Sequence, residues 1–103
     1  MKRGREEEEE FDENDIERFH EACKDGNVKE VQDFITRGIN VNLKCTSKPT
    51  ALHYAAVRGH VDVANVLIQN DADVNAVYKD KYTPLHCAAR KGHVDVAKVL
   101  IQN

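Results

Sequence analysis

The sequence repeats itself with a period of 33 residues, and this period restricts the fold more than any other feature. Residues 83–103 read TPLHCAARKGHVDVAKVLIQN and residues 50–70 read TALHYAAVRGHVDVANVLIQN, so 16 of the 21 paired positions are identical. The same offset brings Gly26, Gly59 and Gly92 into register. A fixed period of this length is typical of proteins in which each unit buries the exposed face of its neighbour.

Each unit carries the pattern of two short helices. Thr83 suits an N-cap and Pro84 suits the first helical position, where the missing N–H is not needed. Gly92 stands where a helix end requires a left-handed backbone, and the apolar residues that follow predict a second helix over 94–103. Such short helices are not stable alone in water. The chain therefore divides into stacked units of about 17–49, 50–82 and 83–103, the last of them cut short.

These two segments, together with the DADVNA that follows the first, resemble ankyrin repeats, which have a 33-residue period and a T-P-L-H-x-A signature. The resemblance covers about residues 16–103 and is strongest in units two and three. In unit one, Glu17, Arg18, Phe19 and His20 replace the TPLH opening. The family implies an all-α solenoid of helix-turn-helix units with β-hairpin-type loops. Polar residues on the first helix suit an N-terminal capping repeat.

Charge is distributed unevenly along the chain. Residues 1–15 hold three basic and eight acidic side chains, a net charge of −5, whereas residues 16–103 hold 12 basic and 10 acidic ones, a net charge of +2. A stretch so charged and so poor in apolar residues predicts a disordered tail over 1–15, followed by the ankyrin domain over 16–103. A nearly neutral domain disfavours nucleic acid as a partner.

Cysteine use and the absence of long apolar runs bear on the compartment. Cys23, Cys45 and Cys87 are odd in number and form no CxxC pair, which predicts reduced thiols. The N-terminus has no apolar signal segment, and no run approaches the ~18 residues of a membrane span. We expect an intracellular protein, cytoplasmic in the first place and nuclear in the second, with no membrane partner.

No pattern in the sequence indicates catalysis. The motifs GxGxxG, GxxxxGK[ST], GxSxG and HExxH are absent. The histidines recur with the repeat, and the ankyrin resemblance implies that His20, His53 and His86 bond the adjacent turn and its threonine. We therefore predict no enzyme, no catalytic residue, no metal, no cofactor and no small-molecule substrate.

The resemblance implies a protein partner, bound at the hairpin tips and at the concave ends of the first helices. Six of the fourteen positions that it designates are Lys or Arg and two are Asp, so the surface favours an acidic patch on the partner. The positions are Lys24, Asp25, Lys44, Thr46, Ser47, Pro49, Val57, Arg58, Val77, Lys79, Asp80, Tyr82, Arg90 and Lys91.

The leading interpretation is a non-enzymatic scaffold, adaptor or inhibitor. One alternative is the N-terminal piece of a longer solenoid with a structural role, and a less favoured one is a polyanion-binding module. Helix 94–103 has apolar residues and no capping unit after it, which predicts self-association. A further hypothesis is that the acidic EEEEEFDEND docks on the basic face of its own domain.

Asn75 also matches a modification pattern. The segment LIQNDADVN resembles the ankyrin sequences on which asparaginyl hydroxylases act, with Leu67 eight positions before the asparagine, Asp73 two before and Val74 one before. The simpler interpretation, which we favour, is that asparagine holds the turn by bonding local backbone.

Overall fold

Six short helices make up the regular structure of the described residues, which in this computed structural model are 10–44, 48–79 and 81–103. No strand forms within them, so the predicted all-α class is confirmed. The helices are α1 (Glu13–Asp25), α2 (Val28–Thr36), α3 (Ala51–Arg58), α4 (Val61–Gln69), α5 (Pro84–Lys91) and α6 (Val94–Ile101).

The helices are arranged in two rows. The first helices of the three units, α1, α3 and α5, pack on one another in sequence, and the second helices, α2, α4 and α6, pack likewise. Each unit thus contributes one helix to each row, and the molecule extends over 50 × 25 × 22 Å. This is the stacked helix-turn-helix arrangement that the period predicts.

Threonine and histidine start α3 and α5 as the family resemblance implies. Thr50 Oγ1 accepts the N–H of His53, and His53 Nδ1 accepts the N–H of Thr50 at 3.2 Å. Thr83 and His86 repeat this capping box. The Nε2–H of His53 donates to the carbonyl of Tyr82 at 2.9 Å. The histidine therefore joins the helix start to the hairpin, and α3 forms although it lacks the proline of α5.

Helix α1 begins earlier than the predicted domain boundary. Asp12 accepts the N–H of Asp15 at 3.0 Å, and Asp15 accepts the N–H of Asp12 at 3.1 Å, so a capping box starts the helix at Glu13. The Phe11 ring lies 6.4 Å from that of Phe34. Residues 11–15 thus belong to the folded unit, and the predicted tail limit at residue 15 is too late. The rest of the predicted tail, residues 1–9, lies outside the described residues.

The glycines that end the first helices also make room for neighbouring rings. Gly26, Gly59 and Gly92 have φ values of 74°, 76° and 74°, a region that favours glycine. A Cβ on Gly26 would lie 2.7 Å from Nδ1 of His60, and one on Gly59 would lie 2.6 Å from Nδ1 of His93. A Cβ added to Gly92 would meet no other described residue within 4 Å.

The same two imidazoles bond successive units together. The Nε2–H of His60 donates to the carbonyl of Lys24 at 2.9 Å, and that of His93 donates to the carbonyl of Val57 at 3.0 Å. The pattern of the sequence did not assign this role to the GH histidines. The equivalent carbonyl of the third unit is that of Arg90.

The core runs between the two rows and becomes less covered at the third unit. Phe19 and Phe34 pack edge to face at 5.8 Å in unit one, and Leu67 is fully buried in unit two. In α6, by contrast, Val94 is 61% exposed and Ile101 70% exposed. The apolar surface that the sequence predicts for this last helix is therefore open to solvent at Val94 and Ile101, while Val96 and Leu100 are buried.

Candidate functional site

A groove of about 270 Å³ lies where α3, α5 and the second hairpin meet. It is smaller than the ~300–1,000 Å³ of typical small-molecule sites. Aromatic and aliphatic side chains form most of its wall, and basic groups stand at its rim. The lining residues are Pro49, His53, Tyr54, Val57, Tyr78, Tyr82, Cys87, Arg90 and Lys91. We call this feature the groove.

The helical spacing of the groove residues places their side chains on the same faces of α3 and α5. Tyr54 and Val57 are three residues apart on α3, and Cys87, Arg90 and Lys91 are three and four apart on α5, so each set shares one face of its helix. The two helices approach closely because the residues between them are small and fully buried, namely Ala55, Ala56 and Ala88. The buried alanines of the signature thus hold α3 and α5 close together, and the variable residues lie on the neighbouring exposed faces.

The hairpin wall of the groove is fixed to the helices. Tyr78 and Tyr82 form an antiparallel bridge, with N–H to carbonyl distances of 2.8 and 3.0 Å. The Tyr78 ring meets the His53 ring edge-on at 6.0 Å, and the Tyr82 carbonyl accepts the Nε2–H of His53. Because His53 also caps α3, one buried side chain sets the position of the hairpin relative to the helix.

The rim of the groove carries positive charge that no described carboxylate neutralises. The Arg90 guanidinium lies 5.4 Å from the centroid of the Tyr82 ring and donates to its hydroxyl. Ion pairs between described residues join Arg18 to Asp15, Lys24 to Glu21 and Arg37 to Asp33, all in unit one. Within the described part of the chain, Arg90 and Lys91 therefore have no acidic partner.

Five of the residues predicted from the sequence meet in the groove: Pro49, Val57, Tyr82, Arg90 and Lys91. Lys44 and Val77 line a second, more polar cleft of about 330 Å³ between the two hairpins. Lys79 lies beside Tyr78, with its Nζ 5.7 Å from the ring centroid.

The remaining predicted residues lie away from the groove or outside the described part. Lys24, Asp25 and Arg58 stand at the ends of α1 and α3, and Lys24 Nζ lies 4.8 Å from the Tyr54 ring centroid. Arg58 donates to the Lys24 carbonyl at 3.5 Å. Thr46, Ser47 and Asp80 are not among the described residues.

The sequence-based prediction of the site missed Tyr54 and Cys87, which line the groove. A signal for both was present. The two 21-residue segments differ at five paired positions, and one of these pairs is Tyr54 with Cys87. The others that bear on the groove are Val57 with Arg90, and Arg58 with Lys91. Three of the five differing pairs therefore contribute at least one residue to the groove, whereas Ala51 with Pro84 and Asn65 with Lys98 do not line it.

Ionisable groups near the groove are shifted by burial. Burial lowers the pKa of His53, although the hydrogen bond to the Tyr82 carbonyl opposes this shift. Burial raises the pKa of the Cys87 thiol against the effect of Arg90, and it raises that of Cys23, in the core, to about 12. Both thiols are thus held in the protonated form, which is the less nucleophilic one.

Asn75 and its counterpart one repeat earlier differ in their hydrogen bonds. The Asn42 amide donates to the Asp71 carbonyl at 3.0 Å and accepts the N–H of Asp73 at 2.8 Å, so it bridges units one and two. Asn75 is exposed, and its backbone N–H donates to Asp73 Oδ1 at 2.9 Å. Its side-chain amide forms no hydrogen bond within residues 10–44, 48–79 and 81–103.

The described residues contain neither a cluster suited to a metal ion nor a helix suited to a membrane. No group of three or more His, Cys, Asp or Glu side chains there is placed to hold a metal ion. Among the described helices, none has the length and apolar character that crossing a membrane requires.

Comparison with known proteins agrees with the architecture and the repeat. The family described as ankyrin repeats (3 copies) matches residues 19–103, which is most of the chain. No curated protein matches the chain. Ankyrin repeats generally act as protein–protein interaction modules and typically have no enzymatic activity. The matched residues, the three stacked units and the threonine–histidine caps lead to one conclusion: the chain belongs to the ankyrin-repeat family.

Proposed function

We propose that this protein is a non-enzymatic interaction module, a scaffold, adaptor or inhibitor, that binds a partner protein through the groove and the neighbouring hairpin tips. The observation that carries this proposal is the gathering of Tyr54, Val57, Cys87, Arg90 and Lys91 around one apolar groove. These are positions at which the two near-identical repeats differ. Stacking requires the shared residues, so the differing residues that line the groove are free to serve recognition.

The chemistry of the groove supports binding rather than catalysis. Nucleophilic cysteines have a lowered pKa and a positioned base, whereas the pKa of Cys87 is raised by burial. The groove has aromatic side chains, which commonly anchor protein interfaces. Residues in the other predicted positions, including Lys24, Asp25, Arg58 and Lys44, would then contact the periphery of the partner.

Affinity purification with the full chain tests this function. We compare the wild-type chain with Arg90→Glu/Lys91→Glu, and use Lys29→Glu/Lys98→Glu as the matched control, because those exposed lysines lie on α2 and α6 outside the groove. A partner that is retained by the control and lost from the groove variant supports the proposal. Equal retention by both variants would show that the groove is not the binding surface.

Self-association through α6 is a second candidate, favoured by the exposure of Val94 and Ile101. An uncovered apolar face is the usual reason for association between copies. Sedimentation at increasing concentration should show a dimer that Val94→Lys/Ile101→Lys abolishes. A wild-type chain that remains monomeric at the highest concentration reached would contradict this candidate. The alternative of a longer solenoid uses the same face, with a further ankyrin unit as its occupant.

The hypothesis of docking by the acidic N-terminal stretch needs correction. Phe11 is its only aromatic residue, and this ring packs on Phe34, while Asp12 and Asp15 cap α1. Half of EEEEEFDEND is therefore part of the first unit and is not free to occupy the groove. Residues 1–9 lie outside the described part, and Met1 is the only large apolar residue in the sequence of residues 1–10.

We also keep Asn75 as a proposed hydroxylation position. The support is its exposure and its unengaged amide, compared with the bridging amide of Asn42. Mass spectrometry after incubation with an asparaginyl hydroxylase should find one added oxygen on Asn75 and none on Asn42. If neither asparagine gains oxygen, hydroxylation of Asn75 is rejected and its role is to stabilise the turn.

An intracellular location, in the cytoplasm or the nucleus, is proposed on the basis of the thiols. Cys23 and Cys87 are both free, as expected in a reducing compartment. Rapid alkylation of intact cells, followed by mass spectrometry, should find both cysteines reduced. A disulfide at either one would contradict the proposal.

A further inference from the structure

We propose that the groove binds a short acidic segment of a partner protein, with one aliphatic or aromatic side chain held among Tyr54, Tyr78 and Cys87, and a neighbouring carboxylate bound to Arg90 and Lys91. This inference rests on the proposed function and narrows it to a class of ligand. It commits to a protein segment, because the lining combines an apolar wall with only two basic side chains at its rim.

The dimensions and lining of the groove favour a single side chain as the anchor. At about 270 Å³ it falls just below the size of common small-molecule sites. Tyr54, Val57, Tyr78 and Cys87 supply the wall, and their polar atoms are few. An apolar side chain bound there contacts protein on every side except the opening of the groove, as the anchor residues of interfaces do.

The carboxylate is inferred from the state of Arg90. Its guanidinium is already positioned by the ring and hydroxyl of Tyr82, so little side-chain freedom is lost when it binds a ligand. The planar donors of arginine suit a carboxylate. Arg90 and Lys91 are adjacent in sequence and have no acidic partner among the described residues.

The side-chain anchor and the carboxylate must come from neighbouring residues of the ligand. Arg90, Lys91 and the apolar wall line one compact groove, and an extended chain advances only ~3.3 Å per residue. A carboxylate one or two residues from the anchor therefore reaches the rim. In the protein's own residues 1–10 the one large apolar side chain, Met1, lies five residues before the first glutamate, Glu6, which is farther than the neighbouring positions that this ligand needs.

Fluorescence polarisation with three labelled peptides tests this inference on the full chain. The first peptide has one leucine flanked by glutamates, the second replaces leucine by alanine, and the third replaces the glutamates by glutamines. We expect the first peptide to bind and each of the others to bind at least ~10-fold more weakly, because the alanine peptide loses the apolar anchor and the glutamine peptide loses the charge pair. Arg90→Gln/Lys91→Gln should weaken the first peptide similarly, while the control Lys29→Gln/Lys98→Gln should not.

Thiol protection provides a readout that leaves every residue of the groove unchanged. In a Cys45→Ser background, Cys87 lines the groove and Cys23 is buried. Saturating leucine–glutamate peptide should slow the alkylation of Cys87 at least ~5-fold, because its bound side chain covers the thiol. An unchanged rate would overturn the inference.

The outcomes separate this inference from the function on which it rests. Equal binding of the alanine peptide, equal binding of the glutamine peptide, or tighter binding of a single-stranded oligonucleotide would each overturn the side-chain-plus-carboxylate ligand. If the peptides fail but a purified partner is still lost from Arg90→Glu/Lys91→Glu, the interaction function stands and only this ligand class is wrong. If that partner is retained as well, the groove is not the site.

Discussion

The repeated residues have different surroundings at the contacts between units, which we call the inner junctions, and at the uncovered side of the third unit, which we call the outer end. Gly59 and Gly92 have φ values of 76° and 74°, yet the first lies under the His93 ring and the second has nothing within 4 Å of an added Cβ. His53 is 1% exposed, whereas its counterpart His86 is exposed. The repeated residues therefore differ in how much they stabilise the fold, because only the neighbouring unit gives them partners.

The largest expected difference is between Gly59→Ala and Gly92→Ala. Both changes force a side chain into a left-handed backbone, which costs about 1 kcal/mol. Gly59→Ala also displaces His93 and breaks its bond to Val57, so we expect a total loss of about 3 kcal/mol. Urea unfolding midpoints measure both. Equal losses would show that the imidazole contact contributes nothing.

Histidine replacement should also separate the inner junction from the outer end. His53→Gln removes a buried ring that bonds both Thr50 and the Tyr82 carbonyl, so we expect a loss of about 2 kcal/mol. His86→Gln affects an exposed copy of the same cap and should cost less than about 1 kcal/mol. Thermal denaturation of the two variants side by side tests this difference. A loss at His86 as large as that at His53 would contradict the role of burial.

Acid should weaken the inner junctions through the buried histidines His20 and His53. Burial lowers the pKa of His20 and His53 from the ordinary 6.5, so below that pH the unfolded chain binds more protons than the native state. This contribution to stability is complete above about pH 6.5 and is lost as the pH falls through the lowered pKa values. Each histidine contributes at most about 1.4 kcal/mol per pH unit.

Unfolding midpoints measured from about pH 7.5 to about pH 5 test this, with His53→Gln and His86→Gln as a matched pair. The midpoint of His53→Gln should fall less steeply with acid than that of the wild type. A variant that loses stability in parallel with the wild type would assign the acid effect to other groups.

The smallest expected effect concerns a left-handed position that lacks glycine. Lys81 has a φ of 64°, and Lys48, one repeat earlier, is not among the positive-φ residues. Lys81→Gly should therefore stabilise the fold by at most about 1 kcal/mol, since relief of strain is offset by greater freedom in the unfolded chain. Lys48→Gly should be neutral or destabilising. Chemical denaturation that finds the opposite order would show that the Lys81 backbone is not strained.

Much of the frame was predictable from particular residues. Thr83, Pro84 and Gly92 mark the limits of α5, and the 33-residue offset transfers those limits to α3. The boundary at residue 15 was wrong because Phe11 and Asp12 look like part of a charged tail, and their packing on Phe34 and capping of Asp15 depend on the folded unit. The roles of His60 and His93 were missed because their acceptors lie 36 residues away.

The site was predictable only in part. Val57, Arg90 and Lys91 were found because they stand at helix ends that the family resemblance designates. Tyr54 and Cys87 lie one helical turn earlier; the two repeats differ at this pair, but which face of α3 and α5 stays uncovered is decided only when the helices are stacked. All fourteen partner-binding positions remain predictions, and Thr46, Ser47 and Asp80 lie outside the described residues.

The sequence by itself determined the helices, their limits and their order, because caps, glycines and apolar periodicity act within a few residues along the chain. Only the tertiary structure decided which copy of a repeated residue is buried, bonded or open. These contacts depend on whether another unit lies beside the residue: the His93 ring lies against Gly59, whereas no described residue lies within 4 Å of a Cβ added to Gly92. The groove has the same origin, since α3, α5 and the Tyr78–Tyr82 bridge are brought together only by stacking.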